Sequence, residues 1–261
     1  MNIEILQTRR KKLIEKLENN EMVVIFASAE PKYPRYFLQE KNFFYLTNLE
    51  IPNAILILAK QKNKTFSQLF IERNDPKMAV WIGEKMTPSQ AGEISGIKRI
   101  SYLDEFENSF TNIANTRKKC YLNYKKTQRD QPLCRAKVFT KNIKEHFPYL
   151  IFDSVDELIR SLRECKDEWE IKQLQKAIDI TGKGIEKIMK NAIPGMMEYE
   201  LEALLNYEAQ RNGLRHMGFK SIIASGKNAA TLHYEENNCK IGEKDLILLD
   251  VGTACNNYSA D

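Results

Sequence analysis

The sequence predicts an α/β chain made of two domains. Over residues 1–153, short apolar runs of strand length alternate with amphipathic, helix-like segments, which is typical of an α/β domain with a mixed sheet. From residue 154 to 261 two long helical segments are followed by strands, which predicts an α+β domain. A chain of 261 residues is long enough for two modest domains, and 43% hydrophobic residues can supply their cores.

The first domain shows helix and strand patterns in turn. An amphipathic helix is predicted near Ile5 to Leu17, because its apolar residues recur at helical spacing. Further strands are predicted at Met22–Phe26, Ala54–Ala59, Phe66–Ile71 and Cys120–Asn123, and further helices at Leu103–Ala114 and Arg135–His146. No G-x-G-x-x-G turn follows any of these strands, so the sequence does not support a dinucleotide site.

The second domain opens with a long helix. Asp167 is placed to cap its N-terminus, and Pro194 and Gly195 end the segment. One stripe of this helix is predicted to face the core, formed by Ile171, Leu174, Ile178, Thr181, Ile185 and Ile188. A second helix is predicted over Glu198–Arg211 and ends before Gly213.

Two strands are predicted after these helices, at Ser221–Ser225 and Asp245–Val251. The second contains the unbroken apolar run Leu246–Leu249. Because a strand covered on both faces has no polar alternation, this run predicts burial on both faces.

Charge gives no sign of a nucleic-acid partner. The net charge is +5, with 40 basic and 35 acidic residues interspersed along the chain. The densest basic runs are Arg9–Lys12 and Arg117–Lys119, with Lys125 and Lys126 nearby. No nucleic-acid-binding motif accompanies them, so they are predicted to be solvated helix faces or loops.

Cysteine usage and hydropathy predict a cytoplasmic protein. The five cysteines are odd in number and none has C-x-x-C spacing, which favours reduced thiols over a disulfide framework or a zinc ribbon. The charged N-terminal segment lacks the apolar stretch of a secretory signal, and no apolar run is long enough to span a membrane.

The residues with the clearest potential for chemistry are two aspartates near the end of the sequence. Asp250 follows a buried apolar run, where a carboxylate is costly unless it is paired or bound to metal, although it could also be a turn residue before Gly252. Asp261 comes eleven residues later. If the chain reverses at Asn256 and Asn257, Asp261 becomes a diagonal neighbour of Asp250, roughly 7–8 Å away.

That spacing would let the two carboxylates share a pair of metal ions. The alternative is an ordinary hairpin with one exposed acid, which spacing alone does not exclude. His233 is a third candidate, although a lone histidine is more often structural. Gly226 and Lys227 do not form a phosphate loop, because Asn228 stands where that loop requires serine or threonine.

Taken in order, these segments resemble the metal-dependent Xaa-Pro peptidases of the pita-bread fold. The matching segments are K-D-E-W-E-I at 166–171, P-G-M-M-E at 194–198, the segment 223–234 that ends in His233-Tyr234, and D-V-G at 250–252 followed by Asp261. Their ordered co-occurrence is more specific than any single motif. In the first domain, segments 35–37, 43–47 and 52–54 and Gln39 resemble the N-terminal domain of aminopeptidase P, which methionine aminopeptidase lacks.

The resemblance implies a creatinase-like, mixed-sheet N-terminal domain followed by an incomplete pita-bread domain. It also implies roles for the candidate residues. Asp250 would bind one of two divalent metal ions, usually Mn²⁺, and Asp261 would bridge both. His233 would line the site and hydrogen-bond the substrate or the tetrahedral intermediate. The substrates would be proline-containing peptides, cleaved by water that the paired metals activate.

The resemblance also implies that the site is incomplete. The family supplies one further histidine and two glutamates from strands that would follow Asp261. His146 and His216 precede the motif and do not match the missing ligand. We therefore expect these 261 residues alone to be inactive.

Three functions remain open from the sequence. The first is an Xaa-Pro aminopeptidase, the second an Xaa-Pro dipeptidase of the prolidase type, and the third a non-catalytic peptidase-like binding protein. The retention of Asp250 and Asp261 counts against the third. The family resemblance also implies a homodimer, with the N-terminal domain contributing to its contacts.

Overall fold

The computed structural model describes residues 1–31, 36–61, 64–125 and 132–261. The chain divides into two compact units, Met1–Cys165 and Lys166–Asp261. Residues 155–163, which the predicted boundary at 153/154 assigns to the second domain, pack with the first unit, where Val155 and Ile159 lie in the core. Arg35, the first residue of segment 35–37, and Lys126, beside one of the basic runs, lie outside the described residues.

The first unit is a mixed sheet with helices on both faces. Its helices are α1 (Ile3–Glu15), α2 (Lys41–Thr47), α3 (Pro76–Ile82), α4 (Pro88–Ser95), α5 (Phe106–Ala114), α6 (Arg135–Lys144) and α7 (Asp156–Arg163). Its strands are β1 (Glu21–Phe26), β2 (Ile55–Gln61), β3 (Lys64–Ile71), β4 (Arg99–Tyr102), β5 (Lys119–Leu122) and β6 (Ile151–Ser154). The strands predicted from the sequence correspond to β1, β2, β3 and β5.

Within the described ranges the sheet has the strand order β4-β3-β2-β1-β5-β6. Strands β1, β2 and β3 pair antiparallel, and the remaining pairs are parallel. Central strand β1 is apolar on both sides: Val23 and Ile25 enter one core, and Met22 and Val24 enter the other. This confirms the predicted mixed-sheet domain.

The prediction that the basic runs are solvated is wrong for three arginines. Arg9, Arg10 and Arg117 are buried. Arg9 and Arg10 donate to the carbonyls of Tyr45 and Leu46 in the last turn of α2, at 3.0 and 2.7 Å. Those carbonyls have no partner within the helix, so the guanidinium groups satisfy them. Burial lowers the pKa of Arg10 to about 10.

The second unit contains two long helices and short strands within its described residues. The helices are α8 (Glu168–Asn191) and α9 (Glu198–Arg211). The strands are β7 (His216–Met217), β8 (Ile222–Ser225), β9 (Ile247–Asp250), β10 (Thr253–Cys255) and β11 (Tyr258–Ser259).

Helix α8 begins as predicted but is rotated relative to the predicted core stripe. Asp167 caps it through a reciprocal capping box with Glu170. Ile171 and Ile178 are exposed, so the predicted stripe is wrong at these two positions. The buried face is lined instead by Ala177, Ile180, Thr181, Gly184 and Ile188.

The rotation follows from close packing between helices. A side chain at Gly184 would collide with Leu205 of α9. The small face of α8 is therefore turned toward α9, and the larger isoleucines at its edge face solvent. Packing volume, which hydrophobic periodicity does not measure, decides this orientation.

Strand β9 pairs antiparallel with β8, with Ile222 opposite Asp250. The prediction that Leu246–Leu249 is buried on both faces is wrong: Leu246 is 83% exposed and Leu248 41% exposed. Ile247 and Leu249 pack on the apolar cluster between the helices and strands. Strand β9 thus has one covered face, as in a half-buried antiparallel pair.

Among the described helices, none combines the length and apolar character needed to cross a membrane.

Candidate active site

The chain reverses at the predicted turn. Strands β10 and β11 pair with Ala254 opposite Ser259 and Cys255 opposite Tyr258, so Asn256 and Asn257 form a two-residue turn. Their φ angles are +48° and +67°. Asparagine tolerates this left-handed conformation, which the tight turns of twisted hairpins require. The hairpin register used to relate the two aspartates is therefore present.

Gly252 allows the two aspartate-bearing segments to approach each other. The hairpin register, carried on by two positions, places Gly252 opposite Asp261. A side chain at Gly252 would collide with the backbone carbonyl of Ala260 and lie 2.9 Å from the ring of Phe219. The Gly252 carbonyl accepts a hydrogen bond from the Gly218 amide at 2.7 Å. Only glycine fits where the segment leading to Asp261 crosses the segment leaving Asp250.

Helix α8 fixes the hairpin through polar contacts. The hydroxyl of Thr253 donates to the carbonyl of Ala177 at 3.0 Å, and the amide of Thr253 donates to the Thr181 hydroxyl at 3.0 Å. At the other strand, the Tyr258 hydroxyl donates to the buried carboxylate of Glu170 at 2.8 Å. Both strands of the hairpin are thereby tied to one helix.

Asp250 is half-buried at the end of β9, and Asp261 is exposed. His233 lies on the exposed tip of the 226–240 loop, where no described residue forms a hydrogen bond with its side chain. The structure therefore brings together the backbone segments that carry the aspartates. It leaves His233 on a separate loop beyond β8.

The 226–240 loop is anchored on the buried carboxylate of Glu198, the first residue of α9. One carboxylate oxygen accepts from the backbone amide and the hydroxyl of Ser225, at 2.7 and 2.8 Å, and from the Asn228 side chain at 3.3 Å. The other accepts from the Tyr234 hydroxyl at 2.7 Å and the Cys239 amide at 2.9 Å. One carboxylate thus holds both ends of the loop and a point inside it.

Electrostatics keep Glu198 ionised. Burial raises the pKa of its carboxyl, but hydrogen bonds from the Cys239 amide, the Tyr234 hydroxyl and Ser225 lower it more, so the pKa lies below its ordinary value. Burial, together with the carboxylate that its hydroxyl faces, raises the pKa of Tyr234. Tyr234 therefore stays protonated as the donor in this pair.

Asn237 supplies a second anchor for the same loop. It is buried, with a φ of +46°. Its side chain accepts from the Ile223 amide at 2.9 Å and donates to the Ser221 carbonyl and the Glu202 carboxylate, each at 2.9 Å. This side-chain amide pairs with backbone N–H and C=O groups in and beside β8, as a neighbouring strand would. Its bond to Glu202 also links β8 to α9.

Comparison with known proteins agrees with this architecture. Residues 6–121 match the family model of the aminopeptidase P N-terminal domain, and residues 172–261 match that of metallopeptidase family M24. The chain is 28% identical over 266 residues to the Xaa-Pro aminopeptidase of Escherichia coli, covering 98% of this chain and 60% of that protein.

Solved structures give the same result. A protein of Bacillus anthracis assigned as an aminopeptidase P superposes with a TM-score of 0.95 at 36% identity, covering 100% of this chain and 64% of that one. Zinc-substituted Escherichia coli aminopeptidase P in complex with product superposes with a TM-score of 0.87 at 26% identity, covering 100% and 61%. Residues 6–121 therefore belong to the aminopeptidase P N-terminal domain family, and residues 172–261 belong to metallopeptidase family M24. The chain spans 60% and 59% of the length of two bacterial Xaa-Pro aminopeptidases that it matches, and 45% to 51% of several eukaryotic relatives.

The donor set fits part of an aminopeptidase P metal centre. Carboxylate oxygens suit hard divalent ions, and Asp250 and Asp261 supply them. Among the described residues, however, no group of three or more histidine, cysteine, aspartate or glutamate side chains converges on one point. The residues present therefore account for some of the ligands that such ions take, and not for a complete shell.

The two residues that anchor the 226–240 loop, Glu198 and Asn237, are not predicted as anchors from the sequence. From the sequence, Glu198 is predicted only as the end of the P-G-M-M-E motif and the first residue of a helix, and Asn237 carries no prediction. The available signal was an acidic residue opening a helix directly after a proline-glycine turn. An acidic residue in the first turn of a helix is also common simply because it interacts favourably with the helix dipole. The sequence alone therefore could not show that Glu198 is buried and anchors a loop.

Proposed function

We propose that the protein to which these residues belong is a metal-dependent Xaa-Pro aminopeptidase, which removes the N-terminal residue from peptides with proline second. The two domain families to which the chain belongs support this function. The observation that carries it in this chain is the close crossing at Gly252, which a non-glycine residue would block. That crossing supports the pairing of the segment that leaves Asp250 with the segment that leads to Asp261.

In this proposal Asp250 would hold one of two divalent metal ions, and Asp261 would be a ligand to both. Manganese suits their oxygen donors. The metal pair would supply an activated water and polarise the scissile carbonyl. His233 would donate a hydrogen bond to the substrate carbonyl oxygen from the loop beyond β8. Among the described residues these two aspartates do not complete a metal shell, so we expect these 261 residues alone to be inactive.

Location and assembly complete the proposal. Each of the five cysteines is free, which is usual in a reducing compartment and supports a cytoplasmic protein. A homodimer is proposed by analogy with the family. No nucleic-acid or membrane partner is proposed.

The test uses the natural product purified from its source, with its intact mass measured first. It is assayed with a tripeptide that has proline second, the matching Xaa-Pro dipeptide, and a tripeptide that has alanine second. We expect cleavage of the proline tripeptide alone, lost on chelation and restored by Mn²⁺. Asp250→Asn should abolish it, whereas Glu243→Gln, at an exposed acid on the loop before β9, should not.

Two results would replace this proposal. Cleavage of the dipeptide but not the tripeptide would indicate an Xaa-Pro dipeptidase. No cleavage of any peptide with Mn²⁺ present would indicate a binding protein. The 261-residue chain is measured beside the natural product, and strong cleavage by the chain alone, abolished by Asp250→Asn, would contradict the expectation that it is inactive.

A further inference from the structure

The loop that carries His233 has few apolar contacts to hold it. Thr231, Leu232 and His233 are exposed, and Leu232 is exposed over most of its surface. Loops with so little burial fluctuate unless polar contacts hold them. The position of His233 must therefore be set by the residues on either side of it.

The contact nearest to His233 is made by its neighbour. The Tyr234 hydroxyl donates to one carboxylate oxygen of Glu198 at 2.7 Å. That Glu198 oxygen also accepts from the Cys239 amide at 2.9 Å. The Cys239 carbonyl also accepts a hydrogen bond from the Glu198 amide at 3.0 Å. One residue further along the chain, Lys240 forms a bridge with Met197, the residue before Glu198. The C-terminal arm of the loop is thus fixed at several points.

The N-terminal arm meets the same carboxylate. Ser225 donates to the other oxygen of Glu198 through its amide and its hydroxyl, and Asn228 adds a side-chain bond. Since both arms end on one rigid group, the tip between them has a defined direction. Bonds to a charged acceptor are about twice as strong as neutral ones, so this anchor is strong for its size.

We propose that Glu198 is a positioning residue for His233, acting through the Tyr234 hydroxyl. The proposal rests on the function proposed for His233 above, and it identifies Glu198 as the residue that orients the His233 side chain. Glu198 does not contact substrate in this scheme. It fixes the loop so that the imidazole points in one direction before any ligand binds, which is the preorganisation that an active site requires.

The test is nuclear magnetic resonance of the 261-residue chain labelled at histidine. The sequence has three histidines, His146, His216 and His233, so the imidazole signals are few, and His233→Gln assigns the relevant one. In the unmodified chain the His233 signal should lie away from its position in the urea-unfolded chain. Tyr234→Phe, which removes one hydroxyl, should move it most of the way toward that position and sharpen it.

The controls distinguish a specific effect on the orientation of His233 from a general loss of structure. The signals of His146 and His216 should stay in place, because β7 holds His216 by its pairing with β10. Tyr199→Phe removes the hydroxyl of the exposed tyrosine that follows Glu198 in the sequence and should leave all three signals unchanged. Glu198→Gln should displace the His233 signal at least as far as Tyr234→Phe does.

Three results would overturn the proposal. The first is a His233 signal already at its unfolded position in the unmodified chain. The second is a His233 signal unmoved by Tyr234→Phe. The third is a shift of His216 together with His233, which would show a purely structural role. If Glu198→Gln does not fold, Tyr234→Phe alone decides. None of these outcomes depends on peptide cleavage, so failure of the proposed function would be recognised separately.

Discussion

Replacing Glu198 by glutamine should destabilise the second unit in a way that depends on pH. The two side chains have nearly the same shape, but glutamine has no charge and presents one NH₂ group. One oxygen of Glu198 accepts from the Ser225 amide and the other from the Cys239 amide. Whichever way the glutamine amide turns, its NH₂ group faces a backbone N–H that has lost its acceptor.

The size of the loss follows from these contacts. An unsatisfied buried donor costs about 1–3 kcal/mol, and the bonds that remain lose their charge assistance. The Tyr234 hydroxyl can rotate and accept instead of donating, which limits the damage. We expect a loss of about 3 kcal/mol in the free energy of unfolding. For a unit of roughly 100 residues, that lowers the midpoint temperature by about 12–24 °C.

The pH dependence has a definite sign. The pKa of Glu198 is lower in the folded state than its ordinary value, so the folded state binds this proton less readily than the unfolded state does. The stability it contributes is complete above the unfolded pKa, near 4.3, and is lost as the pH falls through the folded pKa. Glutamine does not titrate. The stability gap between the two proteins should therefore be widest at neutral pH and should narrow in acid.

The assay must follow the second unit alone, because a chain of two compact units need not unfold in one step. Trp81 is 84% exposed on α3 in the first unit, whereas Trp169 packs against Tyr258 in the second, with ring centroids 5.7 Å apart. In a Trp81→Phe background, Trp169 fluorescence reports on the second unit. Urea unfolding is then measured at several pH values between neutral and about 3, which spans the carboxyl range.

Glu202→Gln is the matched control. Glu202 lies one turn further along α9 and accepts a single described bond, from Asn237. Its loss should be about 1 kcal/mol. The reasoning is refuted if the two variants are equally destabilised, or if the gap between Glu198→Gln and the unmodified protein is the same at every pH.

Other predictions concern the hairpin and the thiols. Asn257→Val should cost about 1–2 kcal/mol, because φ is +67° there, whereas Asn257→Gly should be near neutral; urea unfolding followed at Trp169 measures both. Thr253→Val should cost about 1–2 kcal/mol in the same assay, since its hydroxyl donates to a buried helix carbonyl. Cys165, which is exposed, should react with a thiol reagent in the native protein, whereas Cys120 should react only on unfolding, because burial raises its pKa. A Cys120 that reacts as fast as Cys165 would contradict the packing of the first core.

The sequence predicted the elements whose signals are local. The strands with strong apolar runs, the long helix capped by Asp167 and the Asn256–Asn257 turn all depend on a few neighbouring residues. Short elements escaped prediction. Helix α2 is only seven residues long and rich in aromatic residues, which gives no helical periodicity. Buried Arg9 and Arg10 satisfy two of its last carbonyls, and no local pattern shows that.

The errors share a physical cause. Hydrophobic spacing assigned Ile171 and Ile178 to the core, but the requirement for a glycine against Leu205 turned the helix. The apolar run at Leu246–Leu249 suggested two covered faces, and β9 has one. In both cases the answer depends on which neighbour packs against the segment, and that information lies far along the chain.

The candidate site shows the same division between local and distant information. The two aspartates and the histidine could be selected from the sequence, because their residue types and the hairpin spacing are visible within a short segment of the chain. What fixes them is distant: Glu198 lies 35 residues before His233, and Thr181 lies 72 residues before the Thr253 that it binds. Both anchors lie on the two long helices, and both use a buried polar group with several partners. A buried polar group is costly unless it is satisfied, so each anchor admits few alternative arrangements. The apolar core can therefore determine the stability of the unit while these few polar contacts determine where the candidate residues point.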